Sequence, residues 1–139
     1  MKFPDATFWK LSNGSTDLKS LTYAKKVFAI LKQGYSVGMK IGVPETIEAK
    51  EHQHCLAFET SGTTGTPKRC FHSWSGLEKA YKRLEQFLNF DRPLQTISCL
   101  PIHHIGGWMQ VVRAWFSGGS VFFLHYRDCL LYTSDAADD

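Results

Sequence analysis

The chain has 139 residues, 43% of them hydrophobic, and its 16 Lys and Arg against 13 Asp and Glu give a formal charge of +3. A basic balance suits an anionic partner. The cations are scattered in pairs (Lys25-Lys26, Lys68-Arg69, Lys82-Arg83) with no long run, so they read as solvated faces and no nucleic-acid partner is expected. Apolar runs such as Val121 to Leu124 are far too short to span a bilayer, and Met1-Lys2-Phe3-Pro4-Asp5 lacks the apolar core of a signal peptide.

Residues 1–19 are polar and aromatic with a turn at Asn13-Gly14-Ser15, which predicts irregular structure or a short hairpin. Leu21, Ala24, Phe28 and Leu31 then recur at helical spacing in a helix opening at Ser20 and stopping at Gly34. Residues 35–44 mix Val37, Ile41 and Val43 with glycines and read as an extended connection, and the charged stretch 45–53 reads as a short helix or loop. Cys55 to Glu59 is a strand running into a polar loop, and Arg69 to His72 is the strand leaving it. Ser75 and Glu78 form a capping box for a helix over 76–90, with Leu77, Tyr81, Leu84 and Leu88 as its apolar stripe and Arg92-Pro93 as its stop. A buried strand at 95–100 leads to the loop 101–107. A helix at 108–116, ended by Ser117-Gly118-Gly119, and a strand at 121–124 complete the pattern. This alternation implies an α/β fold, a mostly parallel sheet with flanking helices, and a site in the connections at the strands' C-terminal ends.

The connection Thr60-Ser61-Gly62-Thr63-Thr64-Gly65-Thr66-Pro67-Lys68 carries the chemistry. Its glycines let backbone N–H groups converge on one anion, its hydroxyls add neutral donors, and Lys68 adds a compact positive charge suited to phosphate. Pro67 stiffens the exit. A plain polar surface loop has a similar composition, but lacks the ordered Pro-Lys end. A nucleotide loop of the G-x-x-x-x-G-K-[ST] kind is excluded, because no Gly-Lys pair follows at that spacing and a strand rather than a helix comes next. The loop is therefore expected at the tip of a hairpin, without a helix dipole.

His52, His54, His103 and His104 are spaced i,i+2 and i,i+1 without a supporting carboxylate or cysteine set, which is poor ligand geometry, so no metal site is expected. Cys55, Cys70 and Cys99 stand beside strand-like residues and read as buried thiols in a reducing compartment, which predicts a soluble cytoplasmic protein. Trp108, Trp115, Phe116, Phe122 and Phe123 read as core, and Arg113 as a solvated cation with an acidic substrate as the alternative.

Thr60 to Lys68 resembles the phosphate-loop signature T-S-G-T-T-G-x-P-K of the AMP-forming acyl-adenylate ligases, and Leu100-Pro101-Ile102-His103-His104-Ile105-Gly106-Gly107 resembles that family's P-L-x-H-x-x-G stretch. The form His-His-Ile-Gly-Gly followed by Val111-Val112-Arg113-Ala114 is most similar to o-succinylbenzoate–CoA ligases of menaquinone and phylloquinone synthesis. The resemblance implies a fragment of the large N-terminal domain of such a ligase. Its reaction would activate a carboxylic acid with ATP and Mg²⁺ to an acyl-adenylate and pass the acyl group to CoA. It implies that Thr60, Ser61, Gly62, Thr63, Thr64, Gly65 and Lys68 hold the nucleotide phosphates, and that His104 is the catalytic residue on the carboxylate side. Another acyl-CoA synthetase, for a fatty or aromatic acid, and a non-catalytic phosphate-binding module are the alternatives.

Three regions follow: a weakly assignable N-terminal region at 1–54, a partial AMP-binding ligase domain at 55–128, and a tail at 129–139. The tail, Cys129-Leu130-Leu131-Tyr132-Thr133-Ser134-Asp135-Ala136-Ala137-Asp138-Asp139, resembles the translation of a sequencing adapter and is expected to be non-native. Without it the balance is 16 basic against 10 acidic residues, or +6. Residues 105–139 contain no Y-G-x-T-E stretch for adenine, and no lysine-bearing C-terminal domain is present, so the chain alone is expected to be inactive.

Overall fold

The computed structural model describes residues 2–12, 16–48, 54–60 and 65–130. Its elements, in chain order, are β1 (Trp9–Lys10), α1 (Leu18–Lys32), β2 (Ser36–Met39), β3 (Glu45–Ile47), β4 (Cys55–Thr60), β5 (Lys68–Ser73), α2 (Trp74–Leu88), β6 (Gln95–Ser98), α3 (Ile105–Phe116) and β7 (Ser120–Phe123). The strands form two sheets. One has the order β1-β7-β6 and is parallel throughout; the other has the order β3-β2-β4-β5, with β2 and β4 parallel and both outer pairings antiparallel. The expected α/β architecture with mostly parallel pairing is present, divided between two sheets.

Helix α1 joins them. Asp17 caps it by accepting from the Ser20 amide at 3.2 Å, and the stripe Leu21, Ala24, Val27, Phe28 and Leu31 is buried, packing on β2 and on β7. A ring cluster fills the centre, with Phe28 touching Trp9, Trp74, Trp108 and Trp115 at centroid distances of 5.5–6.2 Å. No helix among the described residues is long and apolar enough to cross a membrane.

Several local expectations change. The N-terminal stretch supplies a strand, β1, that pairs parallel with β7 rather than forming a hairpin of its own. The extended connection at 35–44 contains β2, whose four residues are all buried, and part of the charged stretch after it is β3. Helix α2 starts two residues early and is capped by Ser73, whose Oγ accepts from the Gly76 amide at 2.9 Å. The reason is Trp74: buried against Phe28 and Phe116, it draws the first turn forward, so Ser75 lies inside the helix and caps nothing. Asn89, in the left-handed region at φ 51°, ends this helix before Arg92-Pro93 is reached. Cys70 is exposed rather than buried, because every residue of the edge strand β5 is exposed. Residues 126–130 add a helical turn after β7, in which Cys129 is buried.

Candidate functional site

β4 and β5 pair residue by residue from Cys55↔Ser73 up to Thr60↔Lys68, so the polar loop joins the two strands of an antiparallel hairpin. The hairpin expectation holds. Thr60 Oγ1 donates to the Lys68 carbonyl at 3.1 Å and closes the mouth of the loop from within. Ser61, Gly62, Thr63 and Thr64 lie outside the described residues. Gly65 has φ 109° with open space where a Cβ would stand, so a side chain here would be strained by the backbone alone. Lys68 opens β5, is exposed, and has no acidic partner among the described residues. An ammonium at the root of a Gly- and hydroxyl-rich loop suits an anion, to which it offers a compact charge with three donors.

The second motif is the turn between β6 and α3. The helix begins at Ile105, three residues earlier than expected, with His104 as its N-cap residue and the Trp108 amide donating to the His104 carbonyl at 2.9 Å. The early start depends on Gly107: a Cβ there would stand 2.3 Å from the Pro101 carbonyl oxygen, so only glycine lets the first turn lie against the residues 100–101. Ser98 Oγ donates to the Gly107 carbonyl at 3.2 Å, and the His104 amide donates to the Pro101 carbonyl at 3.1 Å. Backbone bonds therefore place His104. Its exposed imidazole makes no capping bond.

The His103 ring lies 4.3 Å from that of His104, tilted by 38°. Burial, and after it the like charge of His104, holds the His103 imidazole below its ordinary pKa, while Glu59 opposes the shift. The effect of Glu59 is the informative part. Glu59 directly precedes Thr60 in β4, so the two motifs stand within electrostatic reach of each other across the two sheets. His54 is at the opposite end of β4 from Glu59, in a separate cavity of about 650 Å³ with Trp74, Trp115 and Phe116. His52 lies outside the described residues. In the last turn of α3, Arg113 has its Nε buried with no hydrogen-bond partner.

Sequence reasoning missed two links. Glu59 carried no motif signal, and the ion pair of Glu45 with Arg69 joins residues 24 apart in sequence on opposite outer strands. Only the strand order brings them together.

A family model described as AMP-binding enzyme matches residues 9–135, which reaches well before the two motifs. The 4-coumarate–CoA ligase of Halorhodospira halophila is 34% identical over 93 residues, which are 66% of this chain and 23% of that protein. The putative acyl–CoA ligase YdaB of Bacillus subtilis (strain 168) is 28% identical over 86 residues, 62% of this chain and 17% of that protein. The chain spans less than a quarter of the length of these curated relatives.

Proposed function

The chain belongs to the AMP-binding enzyme family, and on that premise we propose that it carries the polyphosphate-holding part of an ATP-dependent acid–CoA ligase. The observation that carries the reading is the hairpin mouth closed by Thr60 and Lys68, with no acidic partner for Lys68 among the described residues and with Glu59, next to Thr60, within electrostatic reach of His103.

In the first step an oxygen of the acid's carboxylate bonds to the α-phosphorus of ATP while the bond to the β-phosphate oxygen breaks. The products are an acyl-adenylate and pyrophosphate. In the second step the CoA thiolate adds to the acyl carbon and AMP leaves. Thr60, Ser61, Gly62, Thr63, Thr64, Gly65 and Lys68 hold the β- and γ-phosphates and stabilise the charge that grows on the leaving pyrophosphate. His104, fixed by its backbone, lines the carboxylate side. Mg²⁺ belongs to this proposal as a companion of the nucleotide, supplying charge neutralisation between phosphates. Among the described residues no three His, Cys, Asp or Glu side chains converge on a point.

For the acid we propose o-succinylbenzoate, which places the enzyme in menaquinone synthesis and in the cytoplasm. That acid has two carboxylates. One is activated, and the other requires a cation on the acyl side of the site. The name of the 4-coumarate–CoA ligase supports the alternative of an aromatic acid, and a fatty acid is the further alternative. Adenylate formation by the full-length protein, followed as pyrophosphate release, decides between o-succinylbenzoate and 4-coumarate.

The phosphate reading is tested on the chain itself by titration with tripolyphosphate. Lys68→Ala is expected to weaken binding by roughly tenfold or more, the loss of one charge-assisted hydrogen bond. Equal affinity of the variant and the parent chain would overturn the reading.

A further inference from the structure

Glu45 and Arg69 occupy the two outer strands of the second sheet, yet their side chains meet. Glu45 is paired with Gly38 and Gly38 with Ala57, while Arg69 is paired with Glu59 two residues further along β4. By strand alternation these side chains share the face opposite to the one where Val37, Met39, Leu56 and Phe58 join the core. Gly38 and Ala57, in between, bear nothing larger than a methyl group. Across this bare strip the Glu45 carboxylate reaches the Arg69 guanidinium at 2.6 Å, with Lys40 Nζ on the same oxygen at 3.3 Å. The strip is needed. A Cβ on Gly38 would stand 2.9 Å from Glu45 Oε2 and 3.2 Å from Glu45 Cβ. Arg69 first, and Lys40 after it, hold the Glu45 carboxyl below the usual carboxylate range.

Arg69 directly follows Lys68, on an edge strand whose only strand partner among the described residues is β4. An exposed ion pair adds little to global stability because water competes for both charges. Its geometric effect is another matter. We propose that Glu45 is a positioning residue for the phosphate loop: by clasping Arg69 across the sheet it holds β5, and with it Lys68, in register against β4. The proposal rests on the phosphate reading of the loop.

Two substitutions break the clasp without changing any charge. Glu45→Asp keeps the carboxylate and shortens its reach by one methylene, and Gly38→Ala pushes the same carboxylate off its path. Titration of the 139-residue chain with tripolyphosphate should give a two- to fivefold weaker affinity for each, about the strength of an exposed pair. The double variant should be no weaker than the weaker single one, since both act on one contact. Thermal midpoints should stay near that of the parent, and amide exchange at residues 69–71 should quicken. Should Gly38→Ala fail to fold, Glu45→Asp decides alone. If Lys68→Ala weakens binding while Glu45→Asp leaves it unchanged, the loop is a phosphate site and the clasp is irrelevant to it. Tighter binding by Glu45→Asp also overturns the proposal. If the unaltered chain does not bind tripolyphosphate, the phosphate reading falls and takes this inference with it.

Discussion

Gly106 and Gly107 are neighbours in one motif, and the fold gives them opposite tolerances. A Cβ on Gly107 would stand 2.3 Å from the Pro101 carbonyl oxygen and 2.9 Å from its carbonyl carbon, both backbone atoms that cannot rotate away. Restoring a 3.0 Å approach needs a displacement of about 0.7 Å between the first turn of α3 and the preceding turn. The same displacement would stretch the Ser98 Oγ bond to the Gly107 carbonyl from 3.2 Å to about 3.9 Å, beyond hydrogen-bonding distance. Overpacking of this kind costs about 1–3 kcal/mol and the lost bond about 1 kcal/mol, offset by about 1 kcal/mol of better helix propensity. Gly107→Ala is therefore expected to destabilise the chain by about 2 kcal/mol and lower its Tm by roughly 6–10 °C. A Cβ on Gly106 meets only Leu100 Cδ1, at 3.7 Å, so Gly106→Ala should be neutral or stabilising by up to about 1 kcal/mol. Urea unfolding of both variants, followed by circular dichroism, measures the difference. Equal stabilities, or a Gly106→Ala variant weaker than Gly107→Ala, would refute the close-approach argument.

The cap of α2 gives a second pair: Ser73→Ala should cost about 1 kcal/mol and Ser75→Ala close to nothing, measured as shifts in urea midpoint. A third concerns alkaline pH. Burial, and after it the neighbouring Glu85, pushes the Tyr81 phenol up to about 12, and burial raises Tyr23 in the same direction. Below pH 10 both phenols are neutral in the folded and unfolded chain, so that stability is intact; from pH 10 to about 12 only the unfolded chain ionises, and stability falls. The urea midpoint should drop between pH 9 and pH 11, and less steeply in Tyr81→Phe; an identical drop in that variant would show that Tyr81 plays no part.

The strand–loop–strand around residues 60–68 was legible because an apolar run stops abruptly at a Gly- and Thr-rich segment and an alternating one resumes after it. Helix α1 was legible for a similar reason, since its stripe runs unbroken from Leu21 to Leu31, about three turns. Strand β2 was not. Buried on every residue and built from Ser36, Val37, Gly38 and Met39, it shows no alternation, and its glycine, which looks like a linker residue, is there to let the Glu45 side chain pass. The cap of α2 was misplaced because Ser73 and Ser75 are both good caps in isolation, and the burial of Trp74 decides between them. At the site, Thr60, Lys68 and His104 were legible as residue types in a pattern, whereas the electrostatic reach of Glu59 to His103 depends on how two separate sheets are set around α1.

All four tryptophans lie around the ring of Phe28, at centroid distances of 5.5–6.2 Å. Intrinsic fluorescence of this chain therefore reports a single place, where α1 meets α3 and both sheets. The β4–β5 hairpin contributes only Phe58 and Phe71, which neither tryptophan nor tyrosine excitation detects. Fraying of the edge strand that bears Lys68 is optically silent. A fluorescence melt and an amide-exchange map of this chain should consequently disagree first at residues 68–73, with the hairpin opening while the emission still reads as native.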